Sequence, residues 1–131
     1  MTRLNLLFFS WFILSSCSSV SQQNGLISAE ELKSRIEAGL DGVLIDLRTP
    51  AEIAKGMIPG SIVIDYRADD FAAQIQGLDK EKKYYLYCHS GGRSARAKDL
   101  MEKQGFQSIL DYGGGFKEWS SLGYPLENVH N

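Results

Sequence analysis

The run YYLYCHSGGRSARAKDL, Tyr84 to Leu100, changes character halfway along. Four residues rich in β-formers lead into Cys88, a glycine pair follows at Gly91 and Gly92, and charged residues then alternate with Ala97, Leu100 and Met101. A short apolar run, a glycine break and a 3.6-residue period read as strand, tight loop and helix. The helix is predicted over Ser94–Gln104, with Gly105 as its stop.

The same alternation extends in both directions. Ser28 with Glu31 three residues on forms a capping-box pattern, and Leu32, Ile36 and Leu40 repeat at four-residue spacing, so a helix is predicted there. GVLIDLRTP, Gly42–Pro50, reads as a strand buried on both faces. Thr49 and Pro50 open a short helix with Glu52 in the capping-box position. A further strand is expected over Ser61–Asp65, a helix over Asp70–Gln76 with the Asp69–Asp70 pair as its cap, and a strand in FQSILDY. A last helix lies in GGGFKEWSSLG, and the tail after Pro125 reads as loosely ordered. Strands and helices alternating at this spacing predict an α/β fold: an open parallel sheet of about five strands with helices on both faces. Ligands of such sheets sit beyond the carboxyl ends of the strands, which is where Cys88 falls.

The N-terminus bears on why a cysteine stands there. MTRLNLLFFSWFILSSC has one early charge, Arg3, and a mostly apolar run from Leu4 to Leu14, well short of the ~20 residues that span a bilayer. This is the layout of a secretory signal. LSSC, Leu14–Cys17, resembles a bacterial lipobox, which implies removal of residues 1–16, a lipid on Cys17, a tether over 17–25 and one domain over 26–131. An ordinary signal peptide cut nearby is the alternative. The expected location is a bacterial membrane facing the periplasm or the cell surface, with Ser18 after the lipidated cysteine favouring the outer membrane. The chain has two cysteines. With Cys17 lipidated, Cys88 has no disulfide partner and is either a small buried hydrophobe or a used thiol. A formal net charge of −2, spread along the chain, argues against nucleic acid as a partner.

Only the thiolate of a cysteine is an effective nucleophile. A helix N-terminus supplies unsatisfied N–H groups and partial positive charge, Gly91 and Gly92 let those N–H groups curl around the sulfur, and Arg93 adds a full charge. These residues favour a used thiol. His89 reads as a variable, solvent-facing loop side chain. The tyrosines Tyr84, Tyr85 and Tyr87 and the pair Phe116 and Trp119 read as core. No His, Cys or carboxylate cluster has metal-ligand spacing, so neither metal nor other cofactor is expected.

YCHSGGRSARAKDLMEKQGFQSILDYGGGFKEW resembles the active-site half of a single-domain rhodanese, and LIDLRTPAEIAKGMIPGSIVID resembles that family's other hallmark segment. The likeness runs from about Ile27 to Pro125. It implies a sulfurtransferase in which Cys88 takes a sulfane sulfur from a small anionic donor such as thiosulfate, holds it as a persulfide and passes it to a thiophilic acceptor. It further implies that the backbone of His89, Ser90, Gly91, Gly92 and Ser94 cradles the sulfur. Arg93 would bind the donor, and Asp46 and Arg48 would stand on the substrate side as positioning residues. A monomer is expected. Met57 stands where the family often has His. Two alternatives remain: a non-catalytic sulfur-carrier or binding module, and a cysteine phosphatase or arsenate reductase. The latter resemble this loop with five residues between cysteine and arginine, where this chain has four.

Overall fold

The computed structural model describes residues 24–129. In chain order these form β1 (Gly25–Leu26), α1 (Ala29–Glu37), β2 (Val43–Asp46), α2 (Pro50–Ile53), β3 (Ile62–Val63), α3 (Phe71–Gln76), β4 (Lys83–Tyr87), α4 (Gly92–Lys103), β5 (Ser108–Asp111) and α5 (Gly115–Ser121). The strands make one parallel sheet in the order β1-β5-β4-β2-β3, with β4 at its centre. This is the α/β architecture that the alternating pattern predicts.

Period-two alternation divides β2, β4 and β5 between two cores. Ile45, Tyr84, Leu86 and Ile109 face α3 and α4, packing with Phe71, Ile75, Ala97 and Met101. Leu44, Tyr85, Tyr87 and Leu110 face α1 and α5, packing with Leu32, Phe116 and Trp119. Burial on both faces explains why the central strands read as continuous apolar runs.

Four local expectations are corrected. Gly25, placed in the tether, starts β1 and pairs with Leu110, while the Asn24 side chain accepts from Ile109 N at 2.9 Å. Two residues are too short to carry a hydrophobic period. The α4 helix begins at Gly92, two residues before the predicted start, so the loop is tighter than expected. Asp70 occupies the N-cap of α3 without a side-chain cap bond, its carboxylate accepting instead from Gln74 Nε2 at 2.8 Å. The segment after Pro125 is anchored at Glu127. Met57 N donates to Glu127 O at 2.9 Å, Glu127 N to Met57 O at 2.8 Å, and Gly60 N to the Glu127 carboxylate. A one-residue bridge has no sequence signature. Among the described residues no helix is long and apolar enough to cross a membrane. The predicted signal and the lipidation site Cys17 lie outside the described residues.

Candidate active site

The central strand β4 delivers Cys88 to the carboxyl edge of the sheet, where the chain turns through His89, Ser90 and Gly91 into α4. The turn depends on Gly91. Its φ of 97° lies in the left-handed region, and a Cβ there would stand 2.4 Å from Gly113 O. A side chain on Gly92 would meet open space. One glycine of the pair is therefore required by the packing and the other is not.

Gly115 closes the loop from below. A Cβ there would come within 2.7 Å of Cys88 O and 2.5 Å of His89 O, so only glycine admits the approach. The first turn of α5 then takes up those carbonyls: Phe116 N donates to Cys88 O at 2.9 Å and Lys117 N to His89 O at 3.0 Å. With its carbonyls held by α5, the loop is left with N–H groups for the sulfur. Gly91 N donates to Cys88 Sγ at 3.1 Å, and the Ser94 hydroxyl lies 3.8 Å from the same sulfur while donating to Gly91 O.

Burial, with Cys88 only 1% exposed, pushes the thiol pKa up. The Ser94 N–H and hydroxyl, together with the Gly91 and Ser90 N–H groups, outweigh it, and the net shift is below the ordinary thiol value. The stabilisation comes from aimed dipoles, as the glycine loop at a helix start implies.

Arg93 is already engaged by another residue of the protein. Its guanidinium holds Glu52 through two hydrogen bonds, Nη1 to Oε2 at 2.8 Å and Nη2 to Oε1 at 2.6 Å. The Arg93 contact holds the Glu52 carboxyl far below the usual carboxylate range. Glu52 also completes the capping box of α2, accepting from Thr49 N and Thr49 Oγ1. The pair clamps the start of α4 to the start of α2, and its net charge is zero.

Asp46 and Arg48 form the frame beneath. Both are buried, with Arg48 Nη2 donating to Asp46 Oδ2 at 2.7 Å and to Gly56 O at 2.7 Å. The guanidinium lies 3.8 Å from the centre of the Phe116 ring. Tyr87, read from sequence as core alone, donates its hydroxyl to Asp46 Oδ2 at 2.6 Å, accepts from Ile58 N and meets Ser61 Oγ at 2.9 Å. Asp46 and Arg48 are thus paired with each other, and Arg48 also lines the cleft beside the loop. Exposed His89 lines a cleft of about 240 Å³ with Arg48, Glu52, Lys55 and Phe116. A larger hollow, about 510 Å³ between Pro50, Ile53, Ala54, Val63 and Val129, holds no nucleophile or titratable side chain.

Sequence reasoning missed Glu52 as the partner of Arg93, although its capping-box spacing was visible. It also missed Asp111, a carboxylate buried at the end of β5. An acidic residue closing an otherwise apolar strand was the available signal.

Comparison with known proteins agrees with this geometry. A rhodanese-like domain model matches residues 28–122. The chain is 34% identical over 100 residues to a sulfurtransferase of Allochromatium vinosum, covering 76% of this chain and 92% of the relative. It is 31% identical over 103 residues to a thiosulfate sulfurtransferase of Pseudomonas syringae, covering 79% and 92%. The crystal structure of a rhodanese-related protein from Thermoplasma volcanium superposes with a TM-score of 0.68 at 31% identity, over 78% of this chain and 96% of that one. With one parallel sheet, a cysteine loop at its central strand and a matching family model over most of its length, the chain belongs to the rhodanese-like domain family.

Proposed function

We propose that this protein is a sulfurtransferase that carries sulfur as a persulfide on Cys88, with thiosulfate or a similar anion as donor. The thiolate attacks the outer sulfur of thiosulfate. A bond forms between that sulfur and Cys88 Sγ, the sulfur–sulfur bond of thiosulfate breaks, and sulfite leaves with the electron pair. A thiophilic acceptor then attacks the terminal sulfur of the persulfide, and the Cys88 thiolate leaves in its original state.

The observation that carries this reading is the ring of donors around one sulfur atom. Gly91 N–H is bonded to Sγ, and Ser94 and Ser90 add to a thiol pKa below the ordinary value. A terminal persulfide sulfur has the same charge as the thiolate and meets the same donors. The loop has four residues between cysteine and arginine, a ring suited to one sulfur rather than to a phosphoryl group with three oxygens. The named activity of the Pseudomonas relative supports thiosulfate as donor. His89, Ser90 and Gly92 are assigned to the donor-facing rim of the loop, and Arg93 to orienting the donor from its place on Glu52.

Mass spectrometry after incubation with thiosulfate tests the proposal. One added sulfur on Cys88, removed by cyanide and absent in Cys88→Ser, is expected; an unmodified Cys88 would overturn it. The LSSC sequence further supports attachment of the protein to a bacterial membrane through lipid on Cys17. Fatty-acid labelling should be lost in Cys17→Ala, and equal labelling of that variant would refute the anchor.

A further inference from the structure

Asp111 ends β5 beneath the first turn of α4, on the sheet face that also carries Leu86 and Cys88. It is 2% exposed, and its Oδ1 has no hydrogen-bond partner. A buried carboxylate oxygen left unpaired is costly, and it asks what the group does. Its polar neighbour is the Ser94 hydroxyl, which acts on the Asp111 carboxyl from one side and lies 3.8 Å from Cys88 Sγ on the other.

Ser94 is itself fully buried and has one hydroxyl proton. In this structure that proton goes to Gly91 O at 3.2 Å, while the sulfur lies 3.8 Å from the same oxygen and the Asp111 carboxyl interacts with the Ser94 side chain. A neutral carboxyl donates to Ser94 Oγ and leaves the hydroxyl proton free for the thiolate. An ionised carboxyl has no proton to give and takes the Ser94 proton for itself.

We propose that Asp111 is a positioning residue for Cys88, its buried carboxyl competing with the sulfur for the Ser94 hydroxyl so that the neutral acid favours the thiolate and the carboxylate disfavours it. The inference rests on the reading of Cys88 as the nucleophile. The groups acting on the carboxyl are Ser94, Lys98 and Asp99, all on α4, and the flanking strands place Leu86 and Leu26 in register with it. Burial raises the Asp111 pKa, with Asp99 adding to the rise and Ser94 and Lys98 opposing it, so the neutral form persists above the usual carboxylate range. Two acids sharing one hydroxyl titrate as a pair.

Asp111→Asn preserves the shape and fixes a neutral, donating group in place of the carboxyl. The test follows alkylation of Cys88 against pH by mass spectrometry of its peptide, in the full chain carrying Asp111→Asn, Ser94→Ala, both or neither. Asp111→Asn should lower the apparent Cys88 pKa by about one unit, the scale of one hydrogen bond gained by a charged group. The same substitution should have little effect once the Ser94 hydroxyl is gone. An unchanged pKa, or the same change with and without Ser94, would overturn the proposal. If Asp111→Asn does not fold, the reciprocal measurement uses the wild-type chain and Cys88→Ser. The Asp111 carboxyl, followed by its carbon chemical shift, should titrate lower once the thiolate is removed, and an unmoved titration would overturn the coupling. Failure to form a persulfide with this coupling intact would strike only the sulfur-transfer reading.

Discussion

Glu52→Gln separates the structural work of the Glu52–Arg93 pair from its electrostatics. Glutamine keeps an acceptor for Thr49 N in the capping box and removes the charge that faces Arg93. The side chains of Arg93 and Glu52 are 13% and 30% exposed and make two short charge-assisted bonds. That places the pair between surface bridges, worth about 0–1 kcal/mol, and buried ones, whose breaking costs about 3–5 kcal/mol. A loss of about 2 kcal/mol at pH 7 is expected. The difference should depend on pH, because Arg93 holds the folded Glu52 far below the usual carboxylate pKa. The stabilisation is complete above the unfolded value of about 4.3 and disappears as pH falls through the folded value. Urea unfolding of both proteins at pH 7 and at successively lower pH measures it. A gap that stays constant with pH would show that the carboxylate charge is not what stabilises α2 against α4.

Gly91→Ala should abolish or severely weaken both folding of the loop and persulfide formation, whereas Gly92→Ala should leave both within a few-fold of wild type; thermal unfolding and thiosulfate labelling distinguish the two. Asp46→Asn leaves the Arg48 guanidinium buried without its counter-charge and should cost about 3–5 kcal/mol, read by urea unfolding. Alkylation of Cys88 in the wild-type chain should titrate below the ordinary thiol pKa, and Ser94→Ala should raise it. An ordinary value in the wild type would remove the case for a poised thiolate.

The fold was legible because each long element carried its own period. Tyr84–Tyr87 marked the central strand, Ala97 and Met101 the inner face of α4, and Leu32 that of α1. Cys88 was legible for a related reason, since a strand, a glycine and a helix in succession place the intervening residue at the sheet edge. What escaped were relations between distant residues. Nothing near Gly25 announces its pairing with Leu110, and nothing near Glu127 announces its bridge to Met57. Gly91 and Gly92 look alike in sequence, and only the approach of Gly113 makes the first indispensable.

The partner of Arg93 was the most consequential of these unseen relations. Read along the chain, an arginine five residues after the cysteine is an unpaired charge beside the sulfur. Folded, it is paired with Glu52 while still interacting with Cys88, and the Gly91, Ser90 and Ser94 donors lower the thiol pKa alongside it. That arrangement suits a sulfur whose substituent changes through the proposed cycle, from thiolate to persulfide and back. Dipoles fixed by α4, and by the α5 bonds to Cys88 O and His89 O, stay in place at every stage and need no reorganisation as charge moves to the outer sulfur. A free guanidinium on a flexible stem would have to follow the charge, or would hold the sulfite product as firmly as the donor. In the proposed cycle the loop backbone is therefore the part that holds the sulfur at each stage, with Arg93 fixed on Glu52 at its edge.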